Sequence, residues 1–265
     1  MSRTLAKLLA VAKRDLLTAV RHHGAFFVDF IGLTAELAGF YFLARAIGPN
    51  YQPDGMAYFP FILIGSAVYS FMVLGMGAFV TAVQEAQQTG VMEVLCTTAT
   101  PAPTVLLLSG FSAFGRQATR SLLYLLFGIA LFRVGTEANI AEAAVVLLLC
   151  FLIGMGIGMM GAAVQVALQK GSAVVWLFGT LAWLVSGMAF PVSALPPILR
   201  PLAELMPLTH CIGAMRLALM GTSSAELVRE ISVLSLFAVV LLPAGASLLA
   251  ASIRRARLEG SLSFY

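Results

Sequence analysis

Charge is what this sequence has least of. Asp, Glu, Lys and Arg make up 11% of its 265 residues, against about 25% in a soluble domain. With 60% hydrophobic residues and a mean hydropathy of +0.96, that scarcity excludes a soluble globular protein and points to an integral membrane one. Polar residues at alternate positions are missing from runs such as FILIGSAVYSFMVLGMGAFV, which excludes barrel strands and makes the spans helical. Cysteine is scarce too. Cys96, Cys150 and Cys211 are far apart, with no C-x-x-C spacing, so they form neither a disulfide framework nor a metal site and read as small apolar fillers. There is no G-x-x-x-x-G-K-[ST] phosphate loop, no H-E-x-x-H and no nucleophile elbow. His22, His23 and His210 have no matching ligands in view. The chain is therefore not read as an enzyme.

The charge that is present has a pattern. The net charge is +4 and the pI about 9.2, but the basic residues gather at the chain ends, marking a cytoplasmic side rather than a nucleic-acid surface. Residues 1–23 form an amphipathic segment: Arg3, Lys7, Arg14 and Arg21 share one face and Leu5, Leu8, Leu9, Leu16 and Val20 the other, as in a helix lying in the membrane interface. The first apolar run starts near Gly24, too late and too long for a signal peptide, so it is expected to stay as an anchor.

Six spans are expected within residues 24–253, at 24–44, 58–82, 104–132, 141–168, 172–191 and 230–252, followed by a tail at 254–265. Nine Lys or Arg then fall inside and five outside, which places both termini in the cytoplasm. The segment MPLTHCIGAMRLALMG, residues 206–221, is short, begins at a proline and contains Arg216. It reads as a re-entrant or interfacial helix within an outer region at 192–229. Five of the eleven prolines lie between Pro191 and Pro207. Span five is expected to end at Pro191, Pro196 and Pro197 to open a short helix, and Pro207 to open a second.

Gly156-Ile-Gly158-Met-Met-Gly161 is formally a G-x-G-x-x-G, but it lies inside an apolar helix and not after a strand. Together with Gly154 it reads as a surface for close helix packing. Asp29 and Glu36 lie on one face of span one, and Arg116 and Arg120 on one face of span three, at similar depth. Each charge is costly at the bilayer centre; a structural ion pair, snorkelling arginines and a role in substrate passage all remain open. Phe30 and Tyr69 lie deep among many aromatics and are candidates to line a pathway. The loop 84–103, QEAQQTGVMEVLCTTATPAP, carries Glu85 and Glu93 but no Lys or Arg. It suits a docking element for a soluble partner.

Two stretches carry a family resemblance. Glu85-x4-Gly90-x2-Glu93-Val-Leu-x4-Thr100-Pro101 is similar to the E…GT-[LM]-E-x-L…TP loop of ABC-2 type exporter membrane subunits, with Val91 where the family often has Thr. SGMAFPVSALPPILRPLAELMPLTHCIGAMR resembles the same family's outer segment. The resemblance covers essentially the whole chain and implies an all-α fold of six transmembrane helices, an N-terminal interfacial helix and a re-entrant outer hairpin. It implies a permease that pairs with a second copy of itself in a bacterial inner membrane. Each copy would dock a separate ATPase subunit through Glu85, Gly90, Glu93, Thr100 and Pro101. ATP and Mg would be bound by that ATPase, and no cofactor by this chain. Gly187, Pro191, Pro196, Pro197, Pro207, His210 and Arg216 would form an outer gate for an exported amphipathic, lipid-linked, glycan or drug-like substrate. The rival reading is a proton-coupled secondary transporter using Asp29 and Glu36; it expects an internal repeat, and none is evident.

Overall fold

Long apolar runs with no room for water at the backbone must satisfy their own N–H and C=O groups, and helices do so locally. The computed structural model describes residues 23–90, 114–115, 120–130, 139–221 and 224–259, and every regular element among them is helical. In chain order these are α1 (His23–Ile47), α2 (Tyr58–Gln88), α3 (Arg120–Ala130), α4 (Ile140–Leu168), α5 (Gly171–Val185), α6 (Arg200–Leu205), α7 (Pro207–Met220) and α8 (Ser224–Glu259). Short 3-10 turns occur at Pro53–Gly55 and Val192–Ala194. The amphipathic segment before His23 lies outside the described residues, as do Glu93, Cys96, Thr100, Pro101 and Arg116.

Among the described residues, three helices are long and apolar enough to cross a membrane by length and composition: Tyr58–Gln88, Ile140–Leu168 and Ala225–Glu259. Arg120–Ala130 and Gly171–Val185 are apolar but shorter. Two helix ends differ from the expectation. α2 runs through Gln88, so Gln84 and Glu85 sit on a helix and not in a loop. α5 stops at Val185, six residues before Pro191, and its 15 residues rise only about 22 Å.

Helix starts follow local chemistry. Asn139 caps α4, its side-chain oxygen accepting from Ala141 N at 3.2 Å and Glu142 N at 3.4 Å. Pro207 opens α7 in the first turn, where its missing N–H is not needed. α6 begins at Arg200 with Pro201 in its first turn, whereas Pro196 and Pro197 had been expected to open it. They form the turn before the helix instead.

In lipid, helices are held by close van der Waals fit, because the surrounding tails are as apolar as the side chains. α4 lies at the centre, against α2 on one side and α8 on the other. Phe71, Met72, Met76, Phe79, Ile153 and Met159 are fully buried. Phe114 meets Phe71 and Phe151 edge-on, with centroids 5.8 and 5.5 Å apart. The glycines of α4 divide between its neighbours. A Cβ on Gly154 would lie 2.8 Å from the Phe114 ring, and one on Gly158 3.6 Å from Met76 Cα. Gly156 faces the other way, where a Cβ would meet Leu241 C and O of α8 at 2.7 Å. The glycine run is thus a packing surface, and it serves both sides of the helix.

α7 packs back along α4. Asn139 N donates to Ala218 O at 3.1 Å, while Cys211 lies against Cys150. The eleven residues from Asn139 to Cys150 correspond to about 16 Å along α4. The N-terminal half of α7 therefore lies beside the middle of α4, and its C-terminal end is level with the start of α4. Cys150 and Cys211 are both free and buried.

Candidate functional site

The proline-rich segment is built around two cations and a histidine. After α5 the backbone turns at Gly187, whose φ of +76° is a left-handed conformation that glycine adopts without strain. Arg216 of α7 reaches back to this turn. Its Nη2 donates to Met188 O at 3.0 Å and to Phe61 O of α2 at 2.9 Å. The guanidinium lies 3.4 Å from the centroid of the Phe61 ring. A buried charge needs such partners; two carbonyls and a π face serve Nη2 and the guanidinium plane, while Nε is buried with no hydrogen-bond partner. Tyr58 adds a bond from its hydroxyl to Ala189 O at 3.1 Å. Arg200 folds over the next turn, donating to Leu195 O at 3.0 Å and Ser193 O at 2.7 Å. The backbone at Pro191, Pro196 and Pro197 is thereby held by side chains where helix bonds are lost.

His210 joins α7 to α6 and α8. Its Nδ1 is 2.7 Å from Glu230 Oε2 and its Nε2 2.8 Å from Glu204 O. Both partners are acceptors, so only the doubly protonated ring can donate to both. The hydrogen bond to Glu230 raises the imidazole pKa first; burial and Arg229 oppose it, while Glu204 O adds to the rise. A raised histidine pKa contributes stability that is complete below the unfolded value, about 6.5, and is lost as pH rises through the folded value. The thermal midpoint of the purified protein is therefore expected to fall above about pH 6.5. His210→Gln should lose that dependence. An unchanged pH slope in His210→Gln would assign the effect elsewhere.

Tyr69 lines a groove of about 420 Å³ between α2 and α5, with Val73, Gly77, Trp176, Gly179 and Thr180. Its hydroxyl donates to Gly179 O at 3.1 Å, tying the two helices across the groove floor. The outward face of α5 is unusually apolar and open: Trp176 is 70% exposed and Trp183 48%, and these are the chain's two tryptophans.

A second polar cluster lies between α1, α2 and α3. Glu36, Ser70, Arg120, Ser121 and Tyr124 surround a void of about 30 Å³, room for one water-sized group. Ser66 Oγ and Tyr124 Oη share a hydrogen bond of 3.0 Å beside it. Glu36 and Arg120 thus line the same void. Asp29 and Phe30 lie on α1 one to two turns before Glu36, with side chains outside the described residues, and Arg116 lies outside them altogether.

At the opposite end of α2, Thr89 N and Oγ1 both donate to Glu85 O, at 2.9 and 2.7 Å. Gly90 follows with φ +69°, its N donating to Gln87 O at 3.3 Å. This is a C-terminal cap that needs a residue tolerating the left-handed region. The Glu85 side chain is exposed beside it. The sequence reading passed over Gln84, Gln87 and Gln165: Gln165 of α4 donates to Gln87 of α2, and Ser172 of α5 donates to Gln84 of α2. Their signal was available: amide side chains in helices otherwise almost free of polar groups.

A family model described as ABC-2 type transporter matches residues 6–220. That range takes in the α2 end, the groove, the glycine run and the whole proline-rich segment. A search of curated proteins finds no match.

Proposed function

We propose that this chain, which belongs to the ABC-2 type transporter family and is a transmembrane permease, exports an amphipathic, lipid-linked, glycan or drug-like substrate as one of two paired copies. Each copy docks an ABC ATPase through the segment from Glu85 to Pro101, and ATP and Mg are bound by that ATPase. The chain crosses the membrane six times with both termini cytoplasmic. α6 and α7 form a re-entrant hairpin on the outer side.

The observation that carries this reading is the segment Ser186–Leu199. Its irregular backbone is held against α2 by buried Arg216 and leads into a helix lying deep beside Cys150. Non-helical backbone at membrane depth is tolerated only when protein covers it or a cavity runs beside it, which suits an outer gate. Gly187, Pro191, Pro196, Pro197, Pro207, His210 and Arg216 make up that gate. We assign the α2–α5 groove lined by Tyr69 as part of the path to this gate, and the open aromatic face of α5 supports pairing with a second copy. Glu36 and Arg120 share a void beside this route, as pathway-lining or charge-balancing residues.

Affinity purification of the tagged chain from its native membrane in mild detergent tests the reading. An ATPase carrying a phosphate loop is expected to accompany it. Gly90→Lys and Glu93→Lys are expected to lose the ATPase while the chain still inserts in the membrane. Purification of the unaltered chain with no ATPase would rule the ATP-driven mechanism out.

A further inference from the structure

The cytoplasmic ends of α2, α4 and α5 share a chain of amide hydrogen bonds that the transport reading does not itself call for. Gln165, one turn before the end of α4, accepts from Gly171 N at 2.8 Å. Gly171 is the first residue of α5, and Lys170 supplies no side-chain cap, so Gln165 takes the capping role from another helix. Its Nε2 donates to Gln87 Oε1, in the last turn of α2, at 3.2 Å. Gln87 and Gln165 are each 1% exposed. Outside this buried pair, Ser172 Oγ donates to Gln84 Oε1 at 3.2 Å. Gln84 and Gln87 are three apart and share a face of α2. The first turn of α5 is thus attached to the last two turns of α2 by one buried and one exposed connection.

The seat of that turn leaves no slack. A Cβ on Gly171 would lie 2.6 Å from Gly161 O and 2.9 Å from Val80 Cγ1. A buried amide that loses its partner is costly in apolar surroundings, and a bond of 3.2 Å is lost after a shift of well under an ångström. When the α2 end moves, the start of α5 must follow it or leave buried amides unpaired.

We propose that Gln165 is a positioning residue that couples the last turn of α2 to α5, carrying ATPase-driven displacement of the α2 end into the helix that flanks the groove. The proposal rests on the ATP-driven reading above. It assigns the force path to a side-chain relay, in addition to the backbone continuity of α2.

The test uses the chain with its co-purifying ATPase in lipid nanodiscs. Leu184→Cys, an exposed position in the last turn of α5, reports on that helix through its maleimide labelling rate, read by mass spectrometry. Trapping with ATP and orthovanadate is expected to change the rate. Gln165→Leu should abolish the change while the ATPase still co-purifies and still retains trapped nucleotide. Gln165→Glu should restore it: its carboxylate accepts from Gly171 N and, once Gln87 turns its amide over, from Gln87 Nε2, which has no partner otherwise. If Gln165→Leu does not accumulate, Gln84→Leu removes only the exposed connection and should give a partial loss. A full trapping response in Gln165→Leu or Gln84→Leu overturns the relay, as does a Leu184→Cys complex that never responds. Absence of the ATPase at purification is a separate result, seen before any labelling, and it removes the ATP-driven reading instead.

Discussion

Gly245→Val is expected to be the most damaging single substitution in the described fold. Gly245 of α8 meets α4 backbone to backbone: a Cβ there would overlap Gly156 O, far closer than the sum of their van der Waals radii, and lie 3.1 Å from Met159 Cβ. The obstacle is main chain and not a side-chain tip, so no rotamer change relieves it. The helices must separate, and α8, the longest of the described helices, loses its contacts with α4. Overpacking a core costs about 1–3 kcal/mol, and a backbone obstacle places this variant near the top of that range. Because helix association in lipid has no hydrophobic driving force and leans on close packing, no hydrophobic gain offsets the loss. Gly245→Ala should be intermediate. The midpoint of unfolding in rising SDS, with retention of a single monodisperse species, is the measurement. Wild-type behaviour of Gly245→Val would mean that α4 and α8 do not cross at Gly156.

The second large effect is expected at Arg216. Replacing it with Met removes a guanidinium that donates to Phe61 O and Met188 O and lies over the Phe61 ring. Each charge-assisted bond contributes about 1.5–3 kcal/mol, and the ring contact about 0.5–2 kcal/mol. Against this, the variant no longer desolvates a buried cation, which recovers part of the sum. Phe61 O keeps its place in the helical ladder of α2, whereas Met188 O lies in irregular backbone. That carbonyl left unpaired should dominate, giving a net loss of about 2–3 kcal/mol. Arg216→Lys should not rescue it fully, because an ammonium cannot spread across both carbonyls and stack on the ring. The effect should be local as well as global: protease added to the outer side of sealed vesicles should cut Ser186–Leu199 faster in the variant. Equal cutting and equal unfolding would show that Arg216 does not hold this segment.

Much of the fold was legible because helix formation in an apolar medium is a local matter. The starts of α2, α4, α5 and α7 fall within one residue of expectation, set by Ala57–Tyr58, Asn139, Gly171 and Pro207. The helix ends were harder. α5 was expected to reach Pro191, the strongest breaker in view, but it stops at Val185. There Gly187 turns left-handed and Arg216, some thirty residues away, captures Met188 O. α2 was expected to end before Gln84. It runs on because Gln84 and Gln87 find amide and hydroxyl partners on α4 and α5.

The candidate sites divide in the same way. Pro207 as a helix start and the glycine run as a packing surface follow from residue type. That Gly154 faces α2 while Gly156 faces α8 does not, since both positions read alike along the sequence. Glu36 and Arg120 were recognisable as embedded charges, but their shared void is a product of how α1, α2 and α3 meet. The amide relay was passed over because a glutamine declares no partner until the helices are assembled.

By itself, then, the sequence determined that this is a helical membrane protein of the ABC-2 type, where most of its helices begin, and which glycines and prolines cannot be ordinary. Those properties depend on composition and on bonds between near neighbours along the chain. The tertiary structure alone decided where α2 and α5 end, what Arg216 and His210 bind, and which helices Gln165 joins. Each of those outcomes depends on satisfying a buried polar group with a partner that is remote in sequence.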